Sequence, residues 1–250
     1  MLDILTVETS NGVRTLTLNR PHKRNALNQA LIIELLAAFE AADNDEEVAC
    51  VILTAAGTVF SAGADLGEMK NFANEGPDAY EQRLDRASRM TLAIPRMNKP
   101  VIAAVNGAAI GAGASLALSA DIVLMSQTAR LGYPEVMHGM VPISVMPTLL
   151  DASPNPKLAF EMLVGGGDVD ATRSLSAGLV NQVVADETLQ ACARELAQRI
   201  ATFDRGSVTL TKRLIDKMNS RPLTEAVEIA AAASRARAQA RARNTAPPAQ

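Results

Sequence analysis

Between Lys99 and Asp121 the chain runs for 21 residues, Pro100 to Ala120, without a charged side chain. A stretch this apolar must be buried, and it is long enough to cross a bilayer. Its interior argues against a span. Asn106, Gly107, Gly111, Gly113, Ser115 and Ser119 interrupt the apolar run, and the strand-forming Val101–Val105 precedes them. The pattern predicts a buried strand, a glycine turn and a buried helix inside a globular protein.

The 250 residues suit one large domain, or one domain with a small appendage, and can bury a sizeable core. Aromatic residues are scarce at 3%, with no Trp, so Ala, Leu, Val, Ile and Met must fill the interior. A net charge of −3 provides no field to attract nucleic acid. Cys50 and Cys192 are the only cysteines and have no metal-ligand spacing, so no metal site is expected. They fit a reducing, cytoplasmic setting. Met1-Leu2-Asp3-Ile4 lacks the basic-then-apolar layout of a signal or transit peptide.

Ile4–Thr9 and Val13–Leu18 flank Ser10-Asn11-Gly12 and read as an opening hairpin. Asn28 caps a predicted helix running to about Ala42, with Leu31, Leu35, Ala38 and Phe39 on one face. Ala49–Thr54, Val101–Val105 and Asp121–Ser126 read as buried strands. Asp78–Ile94 reads as a helix whose many charges suggest an exposed face. Strands alternating with helices indicate the α/β class. Beyond about Leu150 helical periodicity dominates, over 156–164, 170–177, 187–201, 207–219 and 223–242, with one expected strand at Val180–Val184. The Arg235, Arg237, Arg241 and Arg243 set closes an Ala-rich helix, where cations complement the helix dipole. Residues 245–250 read as a disordered tail.

Two small-residue turns carry the chemistry. Phe60-Ser61-Ala62-Gly63-Ala64-Asp65-Leu66 and Asn106-Gly107-Ala108-Ala109-Ile110-Gly111-Ala112-Gly113 each follow an apolar run. Small residues let a ligand approach backbone N–H groups, and two such groups aimed at one oxygen form an oxyanion hole. Asp65 can cap the helix after the first turn. The second turn is neither a phosphate-binding loop ending in Gly-Lys-Ser or Gly-Lys-Thr nor a dinucleotide fingerprint. Gly132-Tyr133-Pro134-Glu135 adds one carboxylate in an apolar setting, where burial would raise its pKa and fit it for acid–base work.

These motifs in this order resemble the crotonase (enoyl-CoA hydratase/isomerase) superfamily. The resemblance also takes in Leu18-Asn19-Arg20-Pro21, Lys23-Arg24-Asn25-Ala26-Leu27, Lys99–Gly107 and Asp121-Ile122, and spans nearly the whole chain. It implies a crotonase-like spiral of ββα units over residues 1–195, with a helical C-terminal layer, 196–250, making trimer contacts. The implied assembly is a homotrimer or a dimer of trimers. The implied ligand is an acyl-CoA thioester, with coenzyme A as part of the substrate and no separate cofactor. The N–H groups of Ala64 and Ala112 match the family's oxyanion hole. Arg24, Ala26, Ala62, Asp65 and Leu66 match positions lining coenzyme A, and Gly111 belongs to the same substrate-binding set.

The chain departs from the family pattern at one catalytic position. Typical hydratases carry two glutamates; Glu135 matches the second, and Ser115 stands where the first would fall. A serine can hold a water but is no base near neutral pH. Two enzymatic readings follow: hydration of an enoyl-CoA through Glu135 with Ser115 holding the water, and double-bond isomerisation through Glu135 alone. A third is a paralogue that binds acyl-CoA without turnover. His138, three residues after Glu135, can approach it across one helical turn. The segment Met69–Asp85, including Asn71, Phe72, Asn74, Gly76 and Pro77, is the expected wall of the acyl pocket.

Overall fold

The computed structural model describes residues 3–72 and 76–245. Asn74 and the expected tail at 246–250 lie outside the described residues, as do the side chains of Asn71, Phe72, Arg241 and Arg243. Strands β1 (Leu5–Ser10) and β2 (Val13–Leu18) form the expected antiparallel hairpin, turning at Asn11 and Gly12, both with positive φ. Helix α1 (Gln29–Asn44) starts where Asn28 Oδ1 accepts the Leu31 N–H, and it buries Leu31, Leu35 and Phe39.

The chain then winds through three turns that each deposit a strand in two different sheets. Strands β3 (Cys50–Ala55) and β4 (Val59–Ser61) are followed by helices α2 (Leu66–Phe72) and α3 (Pro77–Arg96). Strands β5 (Val101–Val105) and β6 (Ala108–Ile110) are followed by helix α4 (Ala112–Leu118). Strands β7 (Ile122–Ser126) and β8 (Arg130–Gly132) are followed by a single 3-10 turn, Glu135–His138, and helices α5 (Met146–Ala152) and α6 (Pro156–Gly165). Strand β9 (Asp168–Asp170), helix α7 (Ala171–Ser176), strand β10 (Gln182–Val184) and helix α8 (Leu189–Ala201) follow. The larger sheet has the order β1-β2-β3-β5-β7-β10 and the smaller β4-β6-β8-β9. This is the crotonase-like α/β spiral. The 100–120 segment folds as β5, β6 and α4, and among the described residues no helix is long and apolar enough to cross a membrane.

Side-chain alternation explains why the central strands are apolar throughout. Val51, Leu53, Val101, Ala103, Val105, Val123 and Met125 face the cluster that includes Leu31, Leu35 and Phe39. Cys50, Ile52, Ile102, Ala104 and Leu124 face Leu189, Ala193 and Ala197 of α8. A strand buried on both faces has no polar position to alternate.

One expectation needs correction. Past Leu150 the described residues form two strands, because β9 pairs antiparallel with β8. Helix α3 has the expected exposed face, and on its other side Met90 and Ile94 are buried and further residues line a cavity. The first of two compact units runs to Phe203 and includes α8, which packs on the large sheet. The second unit, Asp204–Gln250, holds helices α9 (Arg205–Met218) and α10 (Leu223–Thr245). Within it Asp204 caps α9 through the Ser207 N–H, and Arg237 donates to Ser207 Oγ at 2.7 Å.

Candidate active site

Both small-residue turns are junctions between a strand of the small sheet and the helix after it. Gly63 (φ +87°) carries the chain from β4 toward α2, and Gly111 (φ +53°) carries it from β6 into α4. The junctions pack so closely that side chains would not fit between them. A Cβ on Gly63 would lie 2.6 Å from the Ile110 carbonyl oxygen and 3.5 Å from the Ala112 nitrogen. A Cβ on Gly113 would lie 2.6 Å from both Cβ and the carbonyl oxygen of Ser61.

This contact brings Ala64, Asp65, Ala112 and Ser115 onto the wall of one cavity of about 210 Å³. The Ala62 and Asp65 N–H groups are taken, by the carbonyls of Arg24 at 2.9 Å and Leu27 at 3.2 Å. Among the described residues neither the Ala64 nor the Ala112 N–H donates to an acceptor. For Ala112 the reason is general: it opens α4, and the first turn of a helix has no internal acceptor for its N–H groups.

The first junction is braced by the loop carrying Arg20 and Asn25. Asn25 is fully buried with φ +52°, and its amide donates to the carbonyls of Ala56 at 2.8 Å and Val59 at 2.7 Å. Its own carbonyl accepts from Ser61 Oγ at 2.8 Å. Arg20 is buried and donates from Nη1 to the Ala26 carbonyl at 2.5 Å and to Asp65 Oδ2 at 3.1 Å. Burial opposes ionisation of Asp65, but the Arg20 guanidinium and the Gly67 N–H outweigh it and hold the carboxyl below its usual range. Asp65 thus caps the next helix as expected, through Oδ1 and the Gly67 N–H at 3.0 Å. Arg24 is exposed, Ala26 and Ala62 are half-buried, and Leu66 is 61% exposed; all four lie off the cavity wall.

Glu135 also lies off that wall, against the loop that carries Ala112. A Cβ on Gly111 would fall 2.6 Å from Glu135 Oε1. Glu135 Oε2 is buried and, among the described residues, has no hydrogen-bond partner. Burial pushes the carboxyl above its ordinary pKa, against the opposing pull of its own backbone N–H and of His138. Ser115 Oγ donates to the Val145 carbonyl at 3.3 Å and lies 3.4 Å from the hydroxyl of Tyr133. Tyr133 is fully buried, which raises its phenol pKa.

Of the expected acyl wall, Met69 and Arg83 line the cavity. Arg86, Ala87, Met90 and Thr91 also line it and were not singled out from the sequence. Their i, i+3, i+4, i+7 spacing with Arg83 is the signal that marks one helix face.

The sequence profile of the enoyl-CoA hydratase/isomerase family matches residues 8–244. The 2,3-dehydroadipyl-CoA hydratase of Escherichia coli K12 is 37% identical over 197 residues, 79% of this chain and 75% of that protein. The 1,2-epoxyphenylacetyl-CoA isomerase of the same organism is 32% identical, covering 92% of this chain and 88% of its own. The crystal structure of an enoyl-CoA hydratase from Mycobacterium smegmatis superposes with a TM-score of 0.87 at 33% identity, over 94% of this chain and 91% of that one. With the two-sheet spiral, the paired junctions and the profile in agreement along nearly the full length, the chain belongs to the enoyl-CoA hydratase/isomerase family.

Proposed function

We propose that the protein hydrates the double bond of a 2-enoyl-CoA, with Glu135 moving the proton. The observation that carries this reading is the half-buried Glu135 carboxyl, with a raised pKa and no partner at Oε2, packed against the glycine that precedes Ala112. The free N–H groups of Ala64 and Ala112 would receive the thioester oxygen. One such donor contributes ~2.7–4 kcal/mol in acyl-transfer sites. Ionised Glu135 takes a proton from water as the water oxygen bonds to the β-carbon. The electron pair of the double bond moves through the α-carbon onto the thioester oxygen as an enolate. Glu135 then returns the proton to the α-carbon, so the carboxylate ends the turnover as it began. Ser115 Oγ, already donating to Val145, would accept a hydrogen from the attacking water. Coenzyme A enters as part of the substrate, against Arg24, Ala26, Ala62, Asp65, Leu66 and the Gly111 loop.

Isomerisation is the second reading, and the state of Ser115 favours it. A serine is no base near neutral pH, so Glu135 is the one carboxyl proposed to reach the substrate. Removing an α-proton from a 3-enoyl-CoA and returning it to the γ-carbon needs no second base.

Incubation with matched 2-enoyl- and 3-enoyl-CoA, followed by conjugated absorbance, separates the two. Hydration removes the absorbance of the first; isomerisation creates it from the second. In either case Glu135→Gln should keep thioester binding and lose about 10²- to 10⁴-fold in kcat. A variant retaining most of its rate removes Glu135 as proton carrier. Binding without reaction of either thioester in the wild type would mark a non-catalytic paralogue.

A further inference from the structure

The cavity wall contributed by α3 changes character along the helix. Arg83, Arg86, Ala87, Met90 and Thr91 all face the cavity. From Arg83 to Met90 the helix rises about 10 Å, and over that length the lining residues pass from two arginines to a buried methionine. Ile32 and Leu116 add further apolar surface to the same cavity.

Its acidic groups are already engaged. Asp65 accepts from Arg20, and Glu68 Oε2 accepts the Gln29 N–H at 2.8 Å. Arg83 stacks over the ring of Tyr80, its guanidinium carbon 5.1 Å from the centroid. Arg86 is half-buried and also borders a second cleft that holds Glu40, Glu81 and Asp85, yet among the described residues it has no ion-pair or hydrogen-bond partner. A cation drawn partly out of water without a counter-charge is destabilised, and an entering anion relieves it through paired, charge-assisted N–H donors.

We propose that Arg86, with Arg83 one helical turn before it, receives a carboxylate at the far end of the acyl group, so that the favoured thioesters are ω-carboxyacyl-CoAs. This rests on the acyl-CoA reading above. An apolar wall ending in arginine fits a methylene chain ending in an anion: Ala87 and Met90 meet the methylenes while the guanidinium forks toward two oxygens. A methyl-ended chain would leave Arg86 uncompensated. A phosphate of coenzyme A carries similar chemistry, and the measurement distinguishes the two sources.

The measurement is calorimetric binding of unreactive, saturated thioesters to the full-length protein. Methyl-ended esters from butyryl- to octanoyl-CoA are compared with carboxylate-ended esters of equal carbon number, succinyl- to suberyl-CoA. At least one carboxylate-ended ester should bind about tenfold or more tightly than its methyl-ended match. Arg86→Gln should remove most of that preference and Arg86→Lys should keep part of it. In the wild type, added salt should shrink the preference. Parity across the whole series overturns the proposal, with or without a folded variant. So does equal weakening of both esters by Arg86→Gln, which would assign the guanidinium to coenzyme A. Because these esters do not react, parity leaves the Glu135 chemistry standing. A protein that prefers carboxylate-ended esters but turns over no enoyl-CoA loses that chemistry and keeps the subsite. Absence of binding to every ester overturns both.

Discussion

Glu135 and Gly111 constrain each other. The glycine adopts a left-handed backbone, and the space its missing Cβ leaves is filled by the carboxylate. That crowding is also the source of the raised pKa, since protein atoms replace water around the charge. Two opposite pH effects follow. The folded protein binds the Glu135 proton more tightly than the unfolded chain does. Its contribution to stability is therefore most favourable below the unfolded carboxyl pKa and is lost as pH rises toward the higher folded value. Glu135→Gln, uncharged at every pH, should melt above the wild type near neutrality, and the gain should vanish near pH ~4. Melting curves across that range check the sign. Catalysis needs the ionised form, so kcat/KM should fall on the acid side along a limb lying above the ordinary glutamate pKa. A limb at the ordinary value would show that the carboxyl is solvated during turnover.

At the scale of elements, the junction between β6 and α4 depends on how closely it approaches β4. Gly113→Ala would drive a methyl group into Ser61, so either β4 or the start of α4 must shift. Overpacking of this kind costs ~1–3 kcal/mol. Urea titration should show a lower midpoint with an unchanged slope, accompanied by weaker thioester binding because Ala112 moves with the helix. The elements that carry local signals were legible from the sequence. The hairpin declares itself at Asn11-Gly12, α1 at Asn28, and the long strands by uninterrupted apolar runs. The small sheet was not legible. Its strands β4, β6, β8 and β9 are three residues each, too short for alternation to register, and their pairing is set by the winding of the chain. The site divides the same way. Ala64 and Ala112 stand in conspicuous small-residue turns, Ser115 follows the second in α4, and all three reach one cavity. Arg83 and Arg86 lie in a helix so charged that a cavity-facing arginine looks like any solvated one, until the fold says which stripe turns inward.

At the scale of the molecule, the unit Met1–Phe203 holds both core clusters, whereas the described residues of the unit Asp204–Gln250 form two helices. Helix α9 has no fully buried residue, and Ile215, Leu223 and Val227 of this unit are exposed. Two helices gain little stability from propensity alone and need an apolar face covered. The expected trimer or dimer of trimers would supply that cover. Mass photometry should therefore find a multiple of three chains, and joint Ile215→Glu and Leu223→Glu substitution should shift the distribution toward smaller species. An unchanged distribution would move the subunit contacts elsewhere.

The two unclaimed N–H groups at Ala64 and Ala112 belong to the main chain, so among single substitutions only proline deletes one. Any other change at those positions alters the side chain and leaves the donor in place. The burden of inheritance falls instead on the neighbouring glycines, Gly63, Gly111 and Gly113, where the smallest added side chain collides with the opposite junction or the carboxylate. A lineage built on this scaffold can therefore explore new substrates by changing the pocket lining, while the device that polarises a carbonyl passes on intact.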